Sequence, residues 1–207
     1  DHAHAMAALD VPLTAIDIDG GTDIGEALVD ADLFIVDNGA GGTNRKTAAS
    51  RLKTYIGEQA IARKTSDESV TSNTTMQDDD ALKFDIGASG VWFVTCTGFV
   101  SGMDTGGMKV SWGLPSGGTY ISNTLFGGGV TGSASASVFA QGQTEAISPG
   151  QFVGTGVLAS LAGFTNTAYI VNDTTAGEVV FKWAQNSSNG TATTLLAGST
   201  LVAQRIV

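Results

Sequence analysis

Ionisable side chains are nearly absent from most of this chain. Residues 88–207 contain seven charged side chains, Asp104, Lys109, Glu145, Asp173, Glu178, Lys182 and Arg205, while the first 87 residues hold the other twenty-three. General acid–base chemistry and metal-assisted hydrolysis need ionisable groups that converge, so the C-terminal part reads as architecture, and no catalytic residue is assigned. Histidine is scarce too. His2 and His4 both lie in Asp1-His2-Ala3-His4-Ala5-Met6, an alternation that could hold a metal on a strand but reads as a vector-derived scar within residues 1–10. Cys96 is the single cysteine, which excludes an intrachain disulfide and leaves size or self-association to supply stability. Its surroundings, Val91-Trp92-Phe93-Val94-Thr95-Cys96-Thr97-Gly98-Phe99-Val100, offer no neighbouring base, so the thiol is expected to be buried packing.

Basic clusters are missing as well. The net charge of −10 comes mostly from the front third, which argues against a nucleic-acid partner and against attraction to an anionic membrane. No apolar run approaches the roughly 18–20 residues that span a bilayer, and no charged-then-apolar leader opens the chain. The expectation is a soluble protein with no membrane insertion and no visible export signal.

What the chain does have is hydrophobic content of 42% over 207 residues, enough for a real core. Glycine, threonine, serine and valine dominate over helix formers, which predicts short strands joined by turns, an all-β balance.

Residues 11–57 read as a small α+β module. Leu13, Ile16 and Ile18 mark a first strand, Asp23-x-x-Glu26 has the spacing of a helix cap ahead of Ala27, Leu28 and Val29, and Leu33-Phe34-Ile35-Val36 reads as a buried strand. A helix is predicted over residues 43–57, with Ala48, Leu52, Tyr55 and Ile56 on one face and Arg45, Lys46 and Lys53 solvated beside upstream acids. Residues 58–69 are polar without sustained periodicity, and read as a linker or neck with the boundary near residue 66.

Residues 70–207 carry strand-like runs at 70–77, 81–86, 91–100, 108–114, 119–125, 134–141, 144–147, 152–161, 168–172, 178–185, 191–196 and 201–207, with no helical pattern between them. That spacing predicts a β-sandwich. Several runs alternate, but residues 91–100 are apolar on both faces. The outer face of such a strand would be a sticky patch on an isolated domain, so burial by another subunit about a closed axis is expected.

Signals of ligand chemistry are weak. Gly127-Gly128-Gly129-Val130-Thr131-Gly132 has the letters of a dinucleotide loop, but Ser133-Ala134-Ser135-Ala136-Ser137 rather than a helix pattern follows it and no acid appears until Glu145, so a flexible loop is the preferred reading and no cofactor is assigned. Asp78-Asp79-Asp80 could attract calcium, yet three consecutive carboxylates on an extended chain point in alternating directions, and an exposed turn is the preferred reading, with no metal site assigned. Asp17, Asp19, Asp23, Asp30, Asp32 and Asp37 show no division into acid and base. Trp92, Trp112, Trp183, Tyr120 and Tyr169 could stack on a sugar. Trp92 and Trp183 sit among core residues, which leaves Tyr120, beside Gly117-Gly118, as the better ligand contact.

Two stretches carry a resemblance. Ala31-Asp32-Leu33-Phe34-Ile35-Val36-Asp37-Asn38-Gly39, continued by Thr43-Asn44-Arg45-Lys46 and Ser50-Arg51-Leu52-Lys53-Thr54-Tyr55, resembles a small module of tail-fibre and other virion structural proteins of tailed bacteriophages. Thr74–Phe84 together with Gly177–Asn186 and Gly198–Ile206 resembles the trimeric jelly-roll head domain of phage appendage and head-decoration proteins, similar in architecture to tumour-necrosis-factor-like sandwiches. The resemblance implies an antiparallel jelly roll behind the N-terminal module. It also implies a non-enzymatic homotrimer on the virion surface, contacts with other virion proteins through residues 11–57, and a host-surface glycan as a further candidate partner. No site residues transfer, because the scaffold motifs match while binding loops vary. A carbohydrate-binding module of a secreted bacterial protein is the alternative, followed by a depolymerase with a carboxylate site between subunits.

Overall fold

The computed structural model describes residues 25–37, 44–128, 138–143, 152–154 and 161–206. The chain divides into two compact units, Asp1–Tyr55 and Ile56–Val207.

In the smaller unit β1 (Leu33–Asp37) pairs antiparallel with β2 (Asn44–Ala48), Leu33 opposite Ala48, and α1 (Ala49–Ile56) follows directly. Three features of this unit differ from those expected. Residues 25–29 are not helical. Instead the Asp32 carboxylate accepts the Val29 amide at 2.7 Å and the Asp32 amide donates to the Val29 carbonyl at 3.0 Å, a turn that competes with a helix start. The predicted helix over 43–57 begins only at Ala49, because residues 44–48 are taken by the ladder with β1: tertiary pairing overrides local propensity. The strand at Leu33 exists but is not buried; Leu33 and Ile35 are exposed, as are Leu52, Tyr55 and Ile56, since a two-stranded ribbon and a short helix offer little to pack against. Lys53 does meet an upstream acid, Asp30, at 3.7 Å on the surface.

The larger unit is mainly β and antiparallel. Its elements are β3 (Gln59–Arg63), β4 (Glu68–Val70), β5 (Gln77–Ile86), β6 (Val91–Ser101), the short α2 (Met103–Gly106), β7 (Met108–Gly113), β8 (Thr119–Gly128), β9 (Val138–Gln143), β10 (Phe152–Gly154), β11 (Ala162–Val171), β12 (Gly177–Ala184), β13 (Thr193–Leu195) and β14 (Thr200–Arg205). One sheet has the order β10-β7-β12-β5; the other runs β3-β14-β6-β11-β8-β9, with β13 joining β6 to β4.

Alternation puts Trp92, Val94, Cys96 and Val100 of β6 and Phe164, Ala168 and Ile170 of β11 on the inner face of the large sheet. They meet Phe84, Val110, Trp112, Phe181 and Trp183 of the small one in a single core. Phe164 stacks on Phe181 with centroids 5.6 Å apart, and Phe84 tilts against Trp92 at 5.2 Å, so aromatic pairs bridge the two sheets as in a β-sandwich.

The expected linker 58–69 is instead part of this unit. Residues 59–63 form β3, paired along its length with β14, and β4 pairs with β13. Its periodicity was weak because the inward positions of β3 are the small Ala60 and Ala62. The expected strand over 70–77 gives way to an end at Val70 and a fresh start at Gln77, and the one expected at 168–172 begins earlier, at Ala162. Expected runs within 134–137, 144–147 and 155–160 lie outside the described residues.

Candidate interaction surface

Because side chains alternate along a strand, the residues between the core positions of β6, namely Phe93, Thr95, Thr97 and Phe99, stand on the other face of the large sheet. The registers extend them into cross-strand rows. Phe93 is flanked by Gln204 and Tyr169, and Tyr169 by Ile121. Thr95 is flanked by Val202 and Thr167, with Ile61 beyond Val202. Thr97 lies between Thr200 and Thr165, followed by Leu125; Phe99 lies opposite Gly163, followed by Gly127.

This face is open and apolar. Phe93 is 47%, Phe99 46%, Ile121 49%, Leu125 43% and Tyr169 43% exposed, with Ile61, Val171 and Val202 also exposed. Arg63, opposite Thr200 on the edge strand, is the one charged side chain among the described residues of these rows. At the Phe99 end the glycines leave a hollow of about 250 Å³, rimmed by Thr97, Phe99, Leu125 and Thr165 and floored by Gly127 and Gly163. The two-faced character of residues 91–100 was therefore a real signal: one face fills the core and the other stays uncovered by described residues of the same copy.

The acidic run is not an exposed turn. Asp78, Asp79 and Asp80 lie inside β5. Asp79 points inward and is buried, with its Oδ2 2.7 Å from Lys64 Nζ and its Oδ1 accepting the amides of Ala81 at 2.9 Å and Leu82 at 2.8 Å. Lys64 also reaches Glu68 Oε2 at 2.5 Å, while Asp78 pairs with Lys182 at 2.6 Å across the small sheet. The strand alternation that was expected to scatter the carboxylates does so, and a lysine occupies the place where an ion was considered. Burial alone would lower the Lys64 pKa, but hydrogen bonds and charge from Asp79 and Glu68 outweigh it and hold the ammonium above the usual lysine value. Glu68 is pushed up by burial, reinforced by Asp79 and Asp80, against the pull of Lys64. Lys64 was missed in the sequence because it sits in the stretch read as a linker.

Cys96 is fully buried on β6, where desolvation and the nearby Asp79 charge push its thiol far up, so it is poorly suited to act as a nucleophile. Trp92 and Trp183 are core residues, and Trp112 is buried too, donating to Asn166 Oδ1 at 2.9 Å; Asn166 in turn donates to Thr124 Oγ1 at 2.6 Å. Tyr120 is not the ligand platform expected of it. It falls on the inward register of β8, packs against the core and lies 3.3 Å from the Ser111 hydroxyl; Tyr169, one strand over, is the aromatic that faces out. His2, His4, Asp17, Asp19, Asp23 and residues 129–132 lie outside the described residues. Among the described residues no three His, Cys, Asp or Glu side chains come together as a metal site.

No family model matches this chain, and no curated protein matches it. Among solved structures, a chain from the structure of infectious bursal disease virus Gx strain is similar at 9% identity and a TM-score of 0.17, over 84% of this chain and 46% of that one. The chain thus spans less than half of that relative's length, and a TM-score this low decides neither fold nor function.

Proposed function

We propose that this protein is a non-enzymatic structural component of a bacteriophage virion, a homotrimeric appendage on the particle surface, either a tail fibre or a capsid decoration. In this reading the larger unit is a jelly roll that self-associates through the outer face of its large sheet, and residues 11–57 attach it to other virion proteins. Adhesion then arises from avidity, since three copies held together raise the effective concentration of weak contacts with a host-surface glycan or protein.

The observation that carries the proposal is the weakly charged face bearing Phe93, Phe99, Ile121, Leu125 and Tyr169. Monomers rarely leave so many large apolar side chains in water on one sheet face, and hiding them against identical copies removes the cost. The exposed apolar residues of the smaller unit, Leu33, Ile35, Leu52 and Tyr55, support an attachment role in the same way. The resemblance of residues 31–55 and of the segments around 74–84, 177–186 and 198–206 to phage appendage proteins supplies the biological setting.

Light scattering on the purified chain tests the assembly: a mass of three chains is expected, and a monomer at micromolar concentration removes the main support. Immunogold labelling of intact particles tests the setting, and labelling confined to the host cell would contradict it.

A further inference from the structure

Gly163 and Gly127 are cross-strand neighbours on the outer face of the large sheet. Neither has the positive φ that demands glycine. A Cβ at Gly163 would come no nearer than 3.8 Å to a described atom, the Gly98 carbonyl oxygen, and one at Gly127 no nearer than 4.0 Å, to the Gly163 carbonyl oxygen. Gly98 is different: a Cβ there would collide with the Phe164 ring, so the core itself requires glycine. A strand interior is weakened by glycine, and where the fold of one copy has no need of it, glycine marks the close approach of something else.

The hollow above the pair offers that approach to an apolar group. Its polar lining is limited to Thr97 and Thr165, with no charge to hold an ionic ligand. In the same cross-strand row, opposite Gly163, stands Phe99 with almost half its surface open. Knob and hollow therefore sit at one height along the strands.

Resting on the self-association proposed above, we infer that Phe99 of one copy fills the Gly163–Gly127 hollow of the next. Rotation about an axis parallel to the strands preserves height, so each cross-strand row meets the same row of the neighbour. Phe99 then faces the hollow, and Phe93 faces Tyr169 and Ile121. The β14–β6 side of one copy packs on the β11–β8 side of the next, a head-to-tail contact that closes as a ring. The available area is enough for small contacts that a closed ring reinforces. With a whole aromatic side chain at roughly 150–250 Å², the three half-open rings leave on the order of 300 Å². With the exposed Ile, Leu, Val and Thr side chains the whole patch comes to on the order of 800 Å²; each copy divides it between two neighbours, so each contact takes roughly half the ~800 Å² that a partner gives a standard interface, and closure of the ring adds the third contact.

The test is the full chain carrying Phe99→Cys and Gly127→Cys. These positions are two strands apart, about 9.6 Å at the ~4.8 Å strand spacing, beyond the ~6.8 Å reach of a disulfide. A bond can therefore form only between copies, and the buried Cys96 stays out of it. Mild oxidation is expected to give a non-reducing gel ladder that ends at three chains, whereas Phe93→Cys with Gly127→Cys, six residues out of row, stays as single chains. Gly163→Leu should keep the fold by circular dichroism and sediment as a monomer. If the wild type assembles but the same-row pair does not cross-link, the ladder stops at two, the out-of-row pair links better, or Gly163→Leu still assembles, this contact is wrong while self-association stands. A monomeric wild type defeats both.

Discussion

Lys64 Nζ lies 2.7 Å from Asp79 Oδ2, and neither side chain reaches water. Lys64 directly follows β3, at one edge of the large sheet, while Asp79 is on β5, at one edge of the small sheet. The pair therefore fastens one side of the sandwich. Asp79 also braces its own strand, because its second oxygen takes two amides where the β5–β12 register shifts.

Removing one partner of a buried pair strands the other charge, which typically costs ~3–5 kcal/mol. Lys64→Met is expected to lower unfolding stability by about that amount, and Asp79→Asn by a similar amount because the amide keeps the two backbone bonds but leaves the ammonium with Glu68 alone. Glu68 is partly exposed, so Glu68→Gln should change stability by less than about 1 kcal/mol. Urea denaturation of the three variants checks this, and a Lys64→Met midpoint equal to wild type would show that the pair fastens nothing.

The same cluster sets a pH response. Lys64 holds its proton more tightly folded than unfolded, so its contribution is complete below the ordinary lysine value of ~10.4 and is lost as pH rises through the higher folded value. Glu68 is also raised, so its contribution is complete below the ordinary value of ~4.3 and disappears as pH climbs through its folded value. Mild acidification from neutral should accordingly not weaken the fold through these two groups, whereas strong alkali should. In urea midpoints taken across pH, Lys64→Met is expected to flatten the alkaline fall; an unchanged slope would contradict the assignment.

Glycines on opposite faces of the large sheet should respond in opposite ways. Gly98→Ala drives a methyl into the Phe164 ring, and overpacking of this kind costs ~1–3 kcal/mol. Gly127→Ala adds a methyl with room around it and should be neutral or stabilising by up to ~1 kcal/mol within one copy. Chemical denaturation at low protein concentration separates the two, and equal losses would mean that the outer face is as closely packed as the core.

How far the sequence disclosed this arrangement differs from place to place. Strands such as β6, β7, β12 and β14 were legible because their large apolar residues recur with period two or fill both faces. β3 was not, since Ala60 and Ala62 are too small to stand out and the strand depends on its ladder with β14. The start of α1 was misread because Asn44–Ala48 is claimed by pairing with β1, a contact that local propensity does not encode. The open face was foreshadowed by Phe93 and Phe99 within an otherwise core-like run. Tyr120 and Asp79 were misplaced for a shared reason: which way a residue faces depends on register, and one position along a strand turns a side chain from surface to core.

The outer-face aromatics give the sharpest separation between a covered and a free surface. On a free surface, replacing Phe93 by Ser removes a half-exposed ring and should alter stability by no more than about 0.5 kcal/mol. If identical copies cover it, folding is linked to association, and the melting temperature of the wild type must rise with protein concentration. Phe93→Ser should then lower the melting temperature most at high concentration, flatten that dependence, and shift the sedimenting species toward a single chain. Thr95→Ser, on the same face but with little apolar area to lose, is expected to leave both curves nearly unchanged. A wild-type melting temperature independent of concentration over a hundredfold range, together with a Phe93→Ser curve superimposed on it, would mean that these rings face water and that the sheet carries its apolar surface for some other reason.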